Sequence, residues 1–371
     1  MSSLTASRPA GNRPRKQAGP LRIALTKAAT TFGSTLAAHL GEGGDRVIGL
    51  DSHAGTLGDV DWRPGDVASP SVVAALDDVD VLVHLALEPD LSVALGVQPA
   101  ARRARQIEQI RTLVTAAAAA GVTRLIVVTS ALVFGARADN PVPLPEDSPL
   151  RADDTEGLVA DLIAVEEEVA SLARLHQGLA VTILRPAALV GPGVDTMITR
   201  HFEAPRLLTL RGTTPSWTFC HVEDLASALV VLAHEDAPEE LTVSSWGALS
   251  QLEVEEISGM KRVELSEIAA FSAADRLHRL NVIPVPASDL SFVAHPWTTE
   301  PERLAALGWY PAYDNAACLS ILLDGVRGHH AVMARRLRSR DAVGAAAAGA
   351  ASAAVAAIAT AALMRRRRGR D

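Results

Sequence analysis

The chain has 371 residues, long enough for a substantial core and for two domains. Hydrophobic residues make up 48% and aromatics only 4%, so the core is expected to be aliphatic. A formal net charge of −8 argues against nucleic acid as a partner. Cys220 and Cys318 lie far apart without a CxxC pair, and the eleven histidines show no metal-ligand spacing with Cys, Asp or Glu. That pattern fits a reducing cytoplasmic compartment with no disulfide framework and no metal.

In chain order, residues 1–19 are rich in Ser, Arg, Pro and Gly and lack an apolar h-region, so they read as a disordered leader. Leu21–Thr26 reads as a buried strand, Phe32–Leu40 as the helix behind it, and Arg46–Asp51 as a second strand ending on a carboxylate. This is the first half of a βαβ nucleotide site, with its acidic residue about 20 residues past the turn. The turn itself is unusual. It runs from Lys27 to Gly33, with Lys27 and Thr30 at the first two glycine positions and only Gly33 kept.

The alternation continues. Val79–Ala86 is expected as a strand, Gln98–Gly121 as a helix ending on glycine, and Thr123–Ser130 as a strand. Thr155–His176 follows as a helix whose Glu166–Glu168 reads as a solvated face. Leu179–Arg185 is a further strand, and Val222–His234 a helix opened by Glu223 and Asp224. Strands alternating with helices imply an α/β, Rossmann-type, doubly wound parallel sheet over residues 20–235. From 236 to 334 the pattern loosens into short strands (Leu241–Ser245, Arg262–Leu265), short helices and Pro-rich turns. This suits a smaller C-terminal substrate or lid region, partly interleaved with residues 190–220.

The last segment, 335–371, is basic and Ala-rich. Residues 342–364 carry no charge and as a helix would span about 35 Å, enough for a hydrocarbon core of about 30 Å. Only Val343, Val355, Ile358, Leu363 and Met364 add strong lipid affinity. The stretch therefore reads either as a membrane anchor or as an Ala-rich helix in water.

Ligands of doubly wound sheets bind outside the carboxyl ends of the strands, after Thr26, Asp51, Ala86, Ser130 and Arg185 here. The residues around these ends resemble the extended short-chain dehydrogenase/reductases, the NAD-dependent epimerase/dehydratase group. The resemblance covers about residues 21–325. It is carried by Gly65-Asp66-Val67, His84-Leu85-Ala86, Ser130–Gly135, Leu184–Pro192, Phe219–Ala226 and Leu307–Pro311, in the family's order and spacing. It implies NAD as cofactor, a nucleotide-sugar or related small substrate, and a homodimer. It also places Thr26, Lys27, Thr31, Phe32, Gly33, Asp51, Asp66, Val67, Leu85, Ala86 and Pro186 around the cofactor. Asp51 would favour a free ribose 2′-OH, hence NAD over NADP, with a turn-capping role as the alternative. His84 and His221 read as structural.

The resemblance fails at its chemical centre. The family's proton-transfer pair is a Tyr with a Lys four residues later, because a phenol of pKa ~10 needs a cation beside it to work near neutrality. The tyrosines here are Tyr310 and Tyr313, and no lysine lies between Lys27 and Lys261, so no YxxxK exists. Ser130, the residue that orients the substrate oxygen in the family, is the one catalytic candidate left. Asp154, Glu156 and Asp161 read as ordinary helix-start carboxylates or, alternatively, as a substitute acid or base. Two functions remain open: an epimerase/dehydratase-like enzyme with a degraded motif, or a non-catalytic dinucleotide- or metabolite-binding sensor or scaffold, with the tail as a tether.

Overall fold

The computed structural model describes residues 19–327 apart from 154, 281, 282 and 284, and the backbone of 331–332 and 335–336. The leader up to residue 18 and the candidate membrane segment 342–364 lie outside the described residues. Among the described residues, no helix is long and apolar enough to cross a membrane.

Each aliphatic run becomes a strand of one sheet. The chain opens with β1 (Arg22–Thr26), α1 (Thr31–Glu42), β2 (Arg46–Leu50) and the short β3 (Asp61–Trp62). A one-turn α2 (Val72–Ala75) precedes β4 (Val81–Leu85), whose five residues are all buried. After α3 (Leu91–Leu95) comes α4 (Pro99–Ala120), which has Pro at its start and Gly121 at φ 78° just past its end. Then follow β5 (Arg124–Val128), α5 (Gly157–Leu175) and β6 (Ala180–Pro186). Continuous burial of these strands is what a parallel sheet covered on both faces requires.

Beyond β6 the chain leaves the sheet and returns. It passes through β7 (Ala188–Val190), α6 (Met197–His201), β8 (Leu207–Leu210), β9 (Ser216–Trp217), β10 (Phe219–His221) and α7 (Val222–His234). It re-enters at β11 (Glu240–Val243). The sheet has seven parallel strands in the order β11-β6-β5-β4-β1-β2-β3. The strand expected at 241–245 in the looser C-terminal region is thus the edge of the main sheet. Its register with β6, Leu241 opposite Leu184, sets that edge. Helices α1 and α7 cover one face; α4 and α5 cover the other. Strand order reverses between β1 and β4, and this is the crevice where ligands bind in such sheets.

The remaining elements include β12 (Leu249–Ser250), α8 (Gln251–Ser258), β13 (Arg262–Leu265) and α9 (Glu267–Arg279). A 3₁₀ helix over Ala287–Val293, then α10 (Glu302–Ala306) and α11 (Asn315–Val326), complete the described chain. Strand β13 pairs with β8 and β12 with β9, so the segment 207–217 is woven into the C-terminal region.

Candidate functional site

The crevice is built first from the turn between β1 and α1. Lys27 adopts φ 55°, the left-handed conformation that costs a residue with a Cβ roughly 1–2 kcal/mol. Its carbonyl accepts from Thr30 N at 3.2 Å and Thr30 Oγ1 at 2.8 Å, closing the turn. Thr30 then caps α1, its Oγ1 accepting from Gly33 N at 3.0 Å. Gly33 is irreplaceable there, since a Cβ would sit 2.0 Å from the Lys27 oxygen. The third glycine is therefore kept for close packing of helix on strand, and the first two have been replaced by a strained lysine and a side-chain cap.

The Lys27 side chain crosses the crevice. Its Nζ donates to Leu87 O at 2.7 Å and to Glu88 Oε2 at 3.1 Å, joining the ends of β1 and β4 at the point where strand order reverses. Asp51 Oδ2 accepts from Ala29 N at 3.1 Å and Oδ1 from Ser52 N at 2.7 Å, so the ribose candidate also braces the turn. From the other side Gly193, at φ 76°, rides on the Thr31–Phe32 peptide; a Cβ on it would meet Phe32 N at 2.6 Å.

The other cofactor candidates divide into buried and surface groups. Thr26 is buried, and its Oγ1 accepts from Leu85 N at 2.9 Å, leaving the hydroxyl proton for His84 Nδ1 at 3.1 Å. Burial first, then the charge of Lys27, pulls His84 down to about 3, so this imidazole is neutral and structural. Phe32, Leu85, Ala86 and Pro186 are buried, whereas Thr31 is exposed. The Phe32 ring is part of the core, so only its backbone is available to a ligand. Asp66 lies at the surface, where Oδ1 takes Ala68 N and Arg105 Nη2, each within 2.9 Å; Val67 packs against the core beside it.

At the next strand end Ser130 begins a short 3₁₀ turn, its Oγ accepting weakly from Leu132 N at 3.3 Å. It faces a cavity of about 80 Å³ whose wall includes Leu158, Leu162 and Trp297. Leu158 and Leu162 stand four residues apart on α5, the spacing of the family's Tyr and Lys, and both are apolar. Glu156 and Asp161 do not line this cavity, and Asp154 lies outside the described residues. Asp161, expected at an exposed helix start, is buried instead. It takes Arg102 Nε at 2.6 Å and Arg103 Nε at 2.8 Å, so it braces α4 against α5.

Glu166 is a second correction. It was expected on a solvated face, yet it is 3% exposed. It accepts from Thr129 Oγ1 at 2.6 Å and from Arg185 Nη2 at 2.8 Å. Arg185 also reaches Glu240 Oε2 at 2.8 Å and lies over the Phe134 ring, 5.1 Å from its centroid. The arginine of the Arg-Pro segment thus ties α5 to the far edge of the sheet, and Pro186 pairs with Val243 on that edge strand.

The sequence profile of the NAD dependent epimerase/dehydratase family matches residues 25–244, more than half of the chain and nearly all of the sheet just described. The chain belongs to the NAD-dependent epimerase/dehydratase family. Similar curated proteins include uncharacterized proteins of Mycobacterium tuberculosis and Mycobacterium bovis. Each is 26% identical over 220 residues, covering 57% of this chain and 58% of the relative. The chain thus aligns with little more than half the length of these relatives. Among solved structures, MoeE5 in complex with UDP-glucuronic acid and NAD is 22% identical, with a TM-score of 0.61 over 82% of this chain and 99% of that one. UDP-glucose 4-epimerase of Thermotoga maritima with UDP-glucose is 16% identical, with a TM-score of 0.62 over 83% and 99%. The dTDP-glucose 4,6-dehydratase of Streptomyces venezuelae is 19% identical, with a TM-score of 0.61 over 83% and 96%. At these identities the likeness is one of fold.

Set against the cofactor of the epimerase/dehydratase family, the crevice divides in two. The turn, the Asp51 carboxylate and the N-terminus of α1 fit the adenosine and phosphate half. On the nicotinamide side the cavity at Ser130 measures about 80 Å³, and its helix wall is leucine.

Proposed function

We propose that this epimerase/dehydratase-family protein binds NAD as a ligand, through its adenosine and phosphate half, and does not use it as a hydride carrier. The observation that carries this reading is the pair Leu158 and Leu162 beside Ser130. Neither side chain can take or give a proton, and the one carboxylate that lines the cavity with Ser130 among the described residues, Glu88, is held by Lys27. The protein then acts as a dinucleotide- or metabolite-responsive sensor or scaffold.

A second reading, turnover of a nucleotide-sugar by a substitute acid or base, draws support from two sources. Ser130 is retained, and the structural neighbours include complexes with UDP-glucuronic acid and with UDP-glucose.

Calorimetric titration of the full chain with NAD, NADH and NADPH, followed by a nucleotide-sugar panel, separates the two. The expected result is NAD binding with no change of redox state on any sugar. Absence of binding at about millimolar cofactor would overturn both readings. Conversion of any one sugar to an epimer or a dehydrated product would overturn the first.

A further inference from the structure

The cavity at Ser130 is apolar well beyond the two leucines of α5. Leu91 of α3, Leu132, Met197 of α6 and Trp297 share its wall with Leu158 and Leu162. Leu91, Leu158 and Met197 also join Leu95 and Val285 in a hydrophobic cluster apart from the main core. Leu132, Leu158 and Met197 remain partly exposed, so apolar surface is left for a ligand to cover. A polar clasp holds α3 beside α6. Leu91 N donates to Asp195 O at 2.7 Å, and Arg200 Nη2 to Ser92 Oγ at 2.6 Å.

The polar side chains of the same wall are mostly engaged. Glu88 takes Lys27 Nζ at 3.1 Å and Asp90 N at 3.3 Å. Gln106 Nε2 donates to Ala86 O at 3.2 Å. Thr129 gives its hydroxyl proton to Glu166, and Trp297 its indole proton to Phe292 O. Thr196 caps α6, its Oγ1 accepting from Thr199 N. Ser130 Oγ accepts only the long bond from Leu132 N. Among the described residues, the hydroxyl protons of Ser130 and Thr196 go to no acceptor.

Two free hydroxyl donors cannot serve a hexose ring, which carries an oxygen on every carbon. Each hydroxyl stranded against leucine gives up its water partners and lowers affinity by about tenfold. A ketone asks far less of this wall. Its oxygen accepts one hydrogen bond and its alkyl groups need none. At about 80 Å³ the cavity has room for a few heavy atoms.

We propose that the metabolite received at Ser130 is an apolar ketone, either a short aliphatic one or the end of a longer chain. Its carbonyl oxygen accepts from Ser130 Oγ and its alkyl groups lie against Leu158, Leu162 and Met197. Ser130 here donates a hydrogen bond and transfers no proton. This names the ligand class of the metabolite-responsive protein proposed above and rests on that reading.

The test uses 3-pentanone and dihydroxyacetone, which have the same shape and differ by two hydroxyls in place of two methyls. Ligand-observed NMR with the full chain is expected to show millimolar 3-pentanone binding, and dihydroxyacetone at least about tenfold weaker. Ser130→Ala should weaken 3-pentanone about fivefold with the thermal melt retained. Leu158→Tyr with Leu162→Lys should weaken it at least about tenfold, and gives the answer if the first variant fails to fold. These titrations contain no cofactor, whereas the function proposed above is tested by calorimetry with NAD, so either can fail while the other stands. Dihydroxyacetone binding as tightly as 3-pentanone, 3-pentanone affinity unchanged by Ser130→Ala or by the double variant, or no 3-pentanone binding at about 50 mM would overturn the proposal.

Discussion

Lys27 compresses the history of the crevice into one residue. A left-handed backbone is needed at the end of β1, glycine supplies it without cost, and here a lysine holds it at φ 55°. The ammonium compensates by bridging to Leu87 O and Glu88, a partly exposed ion pair worth no more than about 1 kcal/mol. Relief of strain and loss of the pair nearly cancel. Lys27→Gly should therefore leave the melting temperature almost unchanged while clearing the mouth of the crevice. The expected consequence is NAD affinity higher by about tenfold, roughly 1.4 kcal/mol, measured by calorimetry against the parent chain. Unchanged affinity would show that the lysine does not stand in the ligand's way. Thr30 is a milder replacement, because its hydroxyl caps the helix whose amides it partly covers.

At the scale of an element, α5 decides the chemistry. One face carries Leu158 and Leu162 toward Ser130, and another carries Asp161 to the arginines of α4. The helix is thus anchored in register by its carboxylate while its catalytic stripe is apolar. The i, i+4 spacing makes a direct test available. Leu158→Tyr with Leu162→Lys restores the family's pair on the same face, where the lysine can assist the phenol. Slow conversion of a nucleotide-sugar is expected, at least about a hundredfold above the parent rate. If the double variant folds, binds NAD and remains inert, restoring the pair is not sufficient for turnover.

Over the whole molecule, the chain Thr129–Glu166–Arg185–Glu240, buried up to its last carboxylate, ties α5 through the sheet to its last strand. Removing one member leaves a buried charge uncompensated. Glu166→Ala should cost about 3 kcal/mol or more in urea unfolding, with the m-value unchanged. A loss under about 1 kcal/mol would mean that Arg185 finds water instead. This network also shows where sequence reading stops. Five strands and their helices were legible from aliphatic runs and helix signals, because burial on both faces writes itself as continuous Val, Ile and Leu. The glycine pattern, Asp51 and the absence of YxxxK were legible as well, since each is a matter of residue identity. The two edge strands, β3 and β11, were not placed in the sheet. Glu240–Val243 is only four residues long and reaches its neighbour after a long excursion, so its pairing is fixed by packing. Glu166 and Asp161 were misread because a carboxylate on a helix looks solvated until its arginine, distant in sequence, is brought beside it. The sequence by itself determined the family, the sheet and the missing proton carriers, properties that local pattern encodes. Only the tertiary structure decided what fills the crevice and which carboxylates are buried, because both depend on which distant side chains meet in space.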